Sequence, residues 1–213
     1  MIARLMTRIA ETYQEGGDWC SLEKAQTMAA MVVALRPRII CEIGVWMGGS
    51  LVPMVMALRA LRQADEQAGR AIEEHEVVAI DAWSPDASCA GQGDRDAAWW
   101  ASVDHEQALR TFRWRLTQHD PHGICRVVRS KSEDAPVPAR IDLLHVDGNH
   151  AEQALWDVQR FAPSVPVGGI LVLDDVAWQG GHVRRAYEWT LGEAGFRAMY
   201  PLGTGTVMQR IEP

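Results

Sequence analysis

Residues 141–175 read IDLLHVDGNHAEQALWDVQRFAPSVPVGGILVLDD. Two apolar runs in this stretch end abruptly in acid, the first at Asp147 and the second at the adjacent Asp174 and Asp175. Short apolar runs bounded by turn signals read as buried strands. If the two are parallel neighbours, their carboxyl ends open on one rim, which is where open α/β sheets bind ligands. Three carboxylates converging there would repel one another unless a positive charge sat among them, and a divalent cation is the economical choice.

Working outward, RIICEIG, EVVAIDAW and CRVVRS give three more strands upstream, and FRAMYPL and TVMQRI give two downstream, joined by a tight turn at Gly203, Thr204 and Gly205. Helices fall between them. Residues 1 to about 15 form a short amphipathic helix ended by Gly16 and Gly17. A second starts at Ser21 as N-cap and stops before Pro37. Others run from Leu51 to about Arg70, Val103 to Gln118, Ala151 to about Phe161 and Gly181 to Glu193. Strands alternating with helices imply a doubly wound, mostly parallel α/β sheet of seven strands, with the C-terminal hairpin as its antiparallel edge. Residues 1–36 are N-terminal helices and 37–213 the main domain. The excursion at about 84–105 is longer than a standard crossover needs and reads as a lid-like insertion. Its Trp99 and Trp100 either cover the ligand rim or pack in the core or an oligomer interface.

Composition narrows the function classes. The chain has 213 residues and a net charge of −7. With no basic block it is a poor phosphate neutraliser, so nucleic acid is not an expected partner. No run approaches a membrane span, and MIARLMTRIAETYQEGG is too broken by charge for a signal peptide. Cys20, Cys41, Cys89 and Cys125 are scattered, without metal-finger spacing. A reduced, cytoplasmic setting is the expectation.

The stretch from Glu42 to Ser50, EIGVWMGGS, stands at a strand-to-helix turn where backbone N–H groups gather. Ser50 follows Gly49 where an NTP-binding loop needs lysine, and Trp46 stands where a dinucleotide fingerprint needs glycine. Glu42 beside this turn suits a cationic ligand such as an amino-acid ammonium. Asp81, ending the next strand, is placed to hold a ribose through its hydroxyls. S-adenosylmethionine (SAM) carries a ribose and an ammonium and has no phosphate.

On EIGVWMGGS, VVAIDAW, and HVDGNH followed about two dozen residues on by GGILVLDD, the chain resembles the class I SAM-dependent methyltransferases, whose fold is Rossmann-like. The resemblance is strongest to the bacterial branch that includes macrocin O-methyltransferase-like and cephalosporin-biosynthesis methyltransferase-like proteins. It implies that Glu42, Gly44, Val45, Trp46, Gly48, Gly49 and Ser50 wrap the methionine portion. It also implies that Asp81 takes the ribose, that Ala82, Trp83 and Ser132 lie near the adenine, and that Asp147 touches both cofactor and metal. Asp147, Asp174 and Asp175 would ligate the metal, and His150 falls where the wider group places a catalytic base.

Hard oxygen donors without cysteine or clustered histidine select magnesium, manganese or calcium over zinc, with magnesium suiting an open carboxylate site. Such an ion would hold an acceptor hydroxyl and lower its pKa. A histidine titrates near neutrality, which suits His150 to remove the proton. His145, inside its strand, is expected to pack away from Asp147. The function expected is methyl transfer from SAM to a metal-positioned hydroxyl of a small molecule, a sugar or natural product, by a homo-oligomeric enzyme. A nicotinamide-dependent oxidoreductase is opposed by Trp46 and Glu42. A non-catalytic SAM-binding assembly protein is opposed by the four intact residues Asp147, His150, Asp174 and Asp175.

Overall fold

The computed structural model describes residues 1–14 and 19–213, so the helix stop expected at Gly16 and Gly17 lies outside the described residues. Its strands are β1 (Ile39–Ile43), β2 (Glu76–Asp81), β3 (Cys125–Arg129), β4 (Leu143–Val146), β5 (Ile170–Leu173), β6 (Phe196–Leu202) and β7 (Gly205–Arg210). They form one sheet in the order β3-β2-β1-β4-β5-β7-β6. All neighbours are parallel except β7, which runs antiparallel to both β5 and β6. This is the doubly wound Rossmann-like sheet with an antiparallel terminal hairpin that the strand and helix pattern implies. Strand order reverses between β1 and β4, and the ligand crevice of such folds opens at that switch point.

β1, β4 and β5 are buried almost throughout, as strands covered on both faces must be. Their alternation divides the interior into two clusters. On one face Ile40, Leu143 and Val172 pack with residues of α1 (Ile2–Gln14), α2 (Leu22–Leu35), α3 (Leu51–Gln67) and α6 (His105–His119). On the other, Cys41, Leu144 and Leu171 pack with α7 (Gln153–Phe161) and α8 (His182–Gly192). The parity matters for chemistry. Glu42, His145, Asp147 and Asp174 each lie an even number of residues from Ile40, Leu143 or Val172, so the strands direct them towards the α2 side.

α2 begins where expected: the Ser21 hydroxyl accepts from the Lys24 N–H at 3.1 Å. That cap fixes the first turn of the helix, and Lys24 with it. The segment before α6 departs from expectation. It holds two helices, α4 (Pro85–Cys89) and α5 (Asp94–Ser102), where the sequence reading assigned an insertion without helices. Pro85 at the first turn of α4 and the acids Asp94 and Asp96 in the first turn of α5 are ordinary helix-start signals. No helix of the described residues is long and apolar enough to cross a membrane.

Candidate active site

The turn after β1 and the tip of β4 are pressed together. Gly44 has φ +83°, and a Cβ there would stand 2.1 Å from the carbonyl oxygen of Asp147, so only glycine fits. Trp46 also takes a left-handed φ, of 50°. It is held there by its N–H to Asp81 Oδ2 at 2.9 Å and by its carbonyl, which accepts from Trp83 Nε1 at 2.8 Å. Asp81 Oδ2 also takes the Val45 N–H at 2.9 Å, and Oδ1 takes the Trp83 N–H at 2.7 Å. Burial pushes the Asp81 carboxyl up, against these three N–H donors, which pull it down.

A cavity of about 780 Å³ opens over this rim. Gly44, Val45, Trp46, Gly49 and Ser50 border it from the β1 turn; Asp81 ends β2 and Ala82 follows it, and Ser132 follows β3. Asp147, His150, Asp174 and Asp175 line the opposite part. Trp83 does not line it: the ring is buried and stacks on Phe112 with centroids 5.7 Å apart. Gly48 is likewise set against Phe112, which a Cβ would approach to 2.6 Å.

Glu42 departs most from its expected place. It is fully buried beneath the turn, where Ser50 Oγ donates to Oε1 at 2.8 Å and His145 Nδ1 stands 3.0 Å from Oε2. It therefore backs the turn and does not face the ligand. His145 also departs from expectation. Residues two apart on a strand share a face, so its Nε2 lies 3.7 Å from Asp147 Oδ2 and within the acidic group.

The acids do converge, but on a cation the chain supplies itself. Lys24 Nζ donates to Asp147 Oδ2 at 2.9 Å and to Asp174 Oδ2. Only 5% of its side chain is exposed. Burial works against the Lys24 ammonium, but the two carboxylates outweigh it and raise the group above the ordinary lysine range. For Asp147 burial dominates and lifts the carboxyl to about 7 despite Lys24. For Asp174 burial opposes ionisation too, yet Lys24 and His145 prevail and hold it at about 2. The remaining oxygen of Asp174 accepts from Thr204 Oγ1 and the Asp175 N–H, both at 3.1 Å.

Asp175 turns elsewhere. Its φ of 51° carries the chain out of β5, and its Oδ2 meets His150 Nε2 at 2.9 Å. The His150 ring lies 4.5 Å from that of Trp178. Among the described residues, donor atoms that could hold a metal converge within 4.8 Å in two sets, His145 with Asp147 and Asp174, and Asp147 with His150 and Asp175. The expected trio Asp147, Asp174 and Asp175 is not one of them. The first set is filled by Lys24, so a divalent ion does not fit it as the chain is folded.

Besides Lys24, sequence reasoning missed three polar residues of the site. Asn149 Nδ2 donates to the carbonyls of Ala87 (3.1 Å) and Ala90 (2.9 Å), tying α4 to the tip of β4. Gln153 Nε2 donates to Ser132 Oγ at 3.0 Å and to Asp157 Oδ1 at 2.8 Å. The signal for Asp157 was available, since it is an acid on the apolar stripe of α7 beside Ala154, Val158 and Phe161. Trp99 and Trp100 both line the cavity, and Trp100 meets the Trp46 ring at 5.4 Å.

Residues 41–176 match the family model described as a methyltransferase domain, and the chain belongs to that family. Among solved structures, the O-methyltransferase NovP superposes with a TM-score of 0.71 at 18% identity, covering 99% of this chain and 98% of that one. The O-methyltransferase TomG from Streptomyces achromogenes, involved in tomaymycin synthesis and solved with SAM, gives 0.65 at 15% identity, covering 98% and 90%. An O-methyltransferase from Bacillus cereus in complex with SAH gives 0.61 at 14%, covering 99% and 90%. At these identities the likeness is one of fold. No curated protein matches the sequence.

Proposed function

We propose that the chain is a SAM-dependent O-methyltransferase acting on a hydroxyl of a small molecule, a sugar or other natural product. The observation that carries this is the single rim on which the glycine turn, Asp81, Asp147 and the His150–Asp175 pair all border one cavity. Its volume of about 780 Å³ lies within the range of small-molecule sites. The family match and the SAM- and SAH-bound neighbours support the same reading.

SAM supplies an activated methyl group on a sulfonium. The backbone of Gly44 to Trp46 and Asp147 would hold its methionine end, Asp81 its ribose, and Ala82 and Ser132 the side of its adenine. Glu42 and Trp83 support this surface from below, Glu42 through Ser50 and Trp83 through the carbonyl of Trp46. His150 takes the acceptor's hydroxyl proton as the O–CH3 bond forms and the S–CH3 bond breaks. Asp175 accepts the Nε2–H, which leaves Nδ1 of His150 free to act as the base. Tryptophans 99, 100 and 178 exclude water and offer flat surfaces for the acceptor. Lys24 fills the gap between Asp147 and Asp174, so no step is routed through a divalent ion in that gap.

The proposal extends to a cytoplasmic setting, which suits the four free cysteines, and to a homo-oligomer, for which exposed Trp114 and Trp156 provide apolar surface. Incubation with isotopically labelled SAM and a panel of hydroxylated acceptors tests the activity: acceptor-dependent SAH release with the label on oxygen supports it. Label recovered on nitrogen or carbon would contradict it.

A further inference from the structure

Of the 21 lysines and arginines only two are lysines, Lys24 and Lys131. One of the two is buried in the acidic cluster that invited a metal reading. An ammonium is a compact point charge with three donors, and it can enter a gap between two carboxylates that a planar guanidinium would not fill. Lys24 reaches that gap from the first turn of α2, whose start is fixed by Ser21. It takes one oxygen from each acid, Oδ2 of Asp147 and Oδ2 of Asp174. Asp174 has nothing left to give, since its other oxygen accepts from Thr204 and from the Asp175 N–H. Asp147 keeps Oδ1 and is the more exposed of the two, with 25% of its side chain accessible.

We propose that Lys24 is the permanent cation of this site: it stands in place of a divalent ion between Asp147 and Asp174, so the chain binds no such ion there. The charge that the two strand tips require is delivered by an N-terminal helix. Lys24 is thus a positioning residue. By holding Asp147 Oδ2 from the α2 side, it leaves the other oxygen for ligands entering from the cavity. A metal would have to displace a buried ammonium that makes two charge-assisted hydrogen bonds, and such bonds are the strong ones. The consequence for methyl transfer rests on the functional reading above, whereas the consequence for metal binding rests on geometry alone.

The test is a manganese titration of the full chain after exhaustive chelation and dialysis, with free Mn²⁺ followed by electron paramagnetic resonance, in the presence and absence of SAM. The wild type is expected to leave Mn²⁺ free into the millimolar range. Lys24→Met, which keeps the length of the side chain and removes its charge, is expected to take up one Mn²⁺ per chain at least about tenfold more tightly, because the gap between Asp147 and Asp174 then holds no cation of its own and an ion can displace the proton left there. One Mn²⁺ bound per wild-type chain at micromolar concentration that persists in His150→Ala, and so is not held by the Asp147–His150–Asp175 set, overturns the proposal, as does a folded Lys24→Met that gains no affinity. Should Lys24→Met fail to fold, the wild-type titration decides by itself. SAM binding is read in the same samples by calorimetry. Its absence would defeat the methyltransferase reading and leave the Lys24 result standing on the manganese signal.

Discussion

His150 Nε2 lies 2.9 Å from Asp175 Oδ2, so the histidine following the tip of β4 is oriented by the acid following the tip of β5. The pair forms because Asp175 adopts a left-handed backbone at φ 51°, a conformation that aspartate tolerates better than most residues. Asp174 and Asp175, adjacent in sequence, thereby serve different partners. One neutralises Lys24 and the other orients a base.

Loss of the base should be a kinetic effect. His150→Ala is expected to lower kcat by roughly 10²- to 10⁴-fold, the usual contribution of a positioned acid–base group. Asp175→Asn should lower kcat less, and both should leave SAM affinity within about twofold of wild type. Single-turnover rates combined with calorimetry check this; a His150→Ala chain with unchanged kcat would remove His150 from the mechanism.

Gly44 should tolerate no side chain. A Cβ at 2.1 Å from the Asp147 carbonyl, added to a φ of +83°, forces the β1 turn and the β4 tip apart. Gly44→Ala is expected to cost about 3 kcal/mol or more in folding stability and to abolish SAM binding. Urea unfolding measures the first and calorimetry the second.

Asn149 should govern the acceptor side. Replacing it with Ala removes the donors to the carbonyls of Ala87 and Ala90 and so loosens α4 from β4. Acceptor KM is expected to rise about tenfold with SAM Kd little changed, since Asn149 is half-buried and losing its hydrogen bonds costs about 1–1.5 kcal/mol. Equal loss of acceptor and cofactor binding would show that the contact supports the whole rim.

Asp157 gives a pH signature. Burial raises its carboxyl to about 6, against hydrogen bonds from Ser132 and Gln153 that lower it. The folded chain therefore keeps a proton that the unfolded chain releases near pH 4. The contribution is fully present below about pH 4 and is lost as pH rises through about 6, with an upper bound of about 3 kcal/mol. Asp157→Asn should flatten this slope and be more stable than wild type at neutral pH, as measured by urea unfolding across that range. A variant that keeps the wild-type slope would assign the proton to another group.

Most of the fold was legible because strand signals are local. IDLLHVD and GILVLDD announce themselves by short apolar runs ending in acid, and the hairpin by its glycine-flanked turn. The acids at the strand tips were legible for the same reason, as was the need for a cation between them. The identity of that cation was not. Lys24 lies 123 residues from Asp147 and 150 from Asp174 in the chain, and nothing local marks a lysine on a helix as buried. Glu42 failed differently, because a strand end can be exposed or covered depending on what the next turn does. His145 was a matter of parity: two residues from Asp147, it shares that residue's face, and the site therefore extends one layer below the rim. The helices α4 and α5 carry start signals of their own, which the length of the insertion obscured.

Isothermal calorimetry of the metal-stripped wild-type chain against SAM, with NADH as the comparison ligand, decides whether this rim holds SAM. One SAM is expected to bind per chain with a Kd in the micromolar range, with that binding lost in Gly44→Ala and no heat from NADH. A chain that binds NADH and ignores SAM would contradict it.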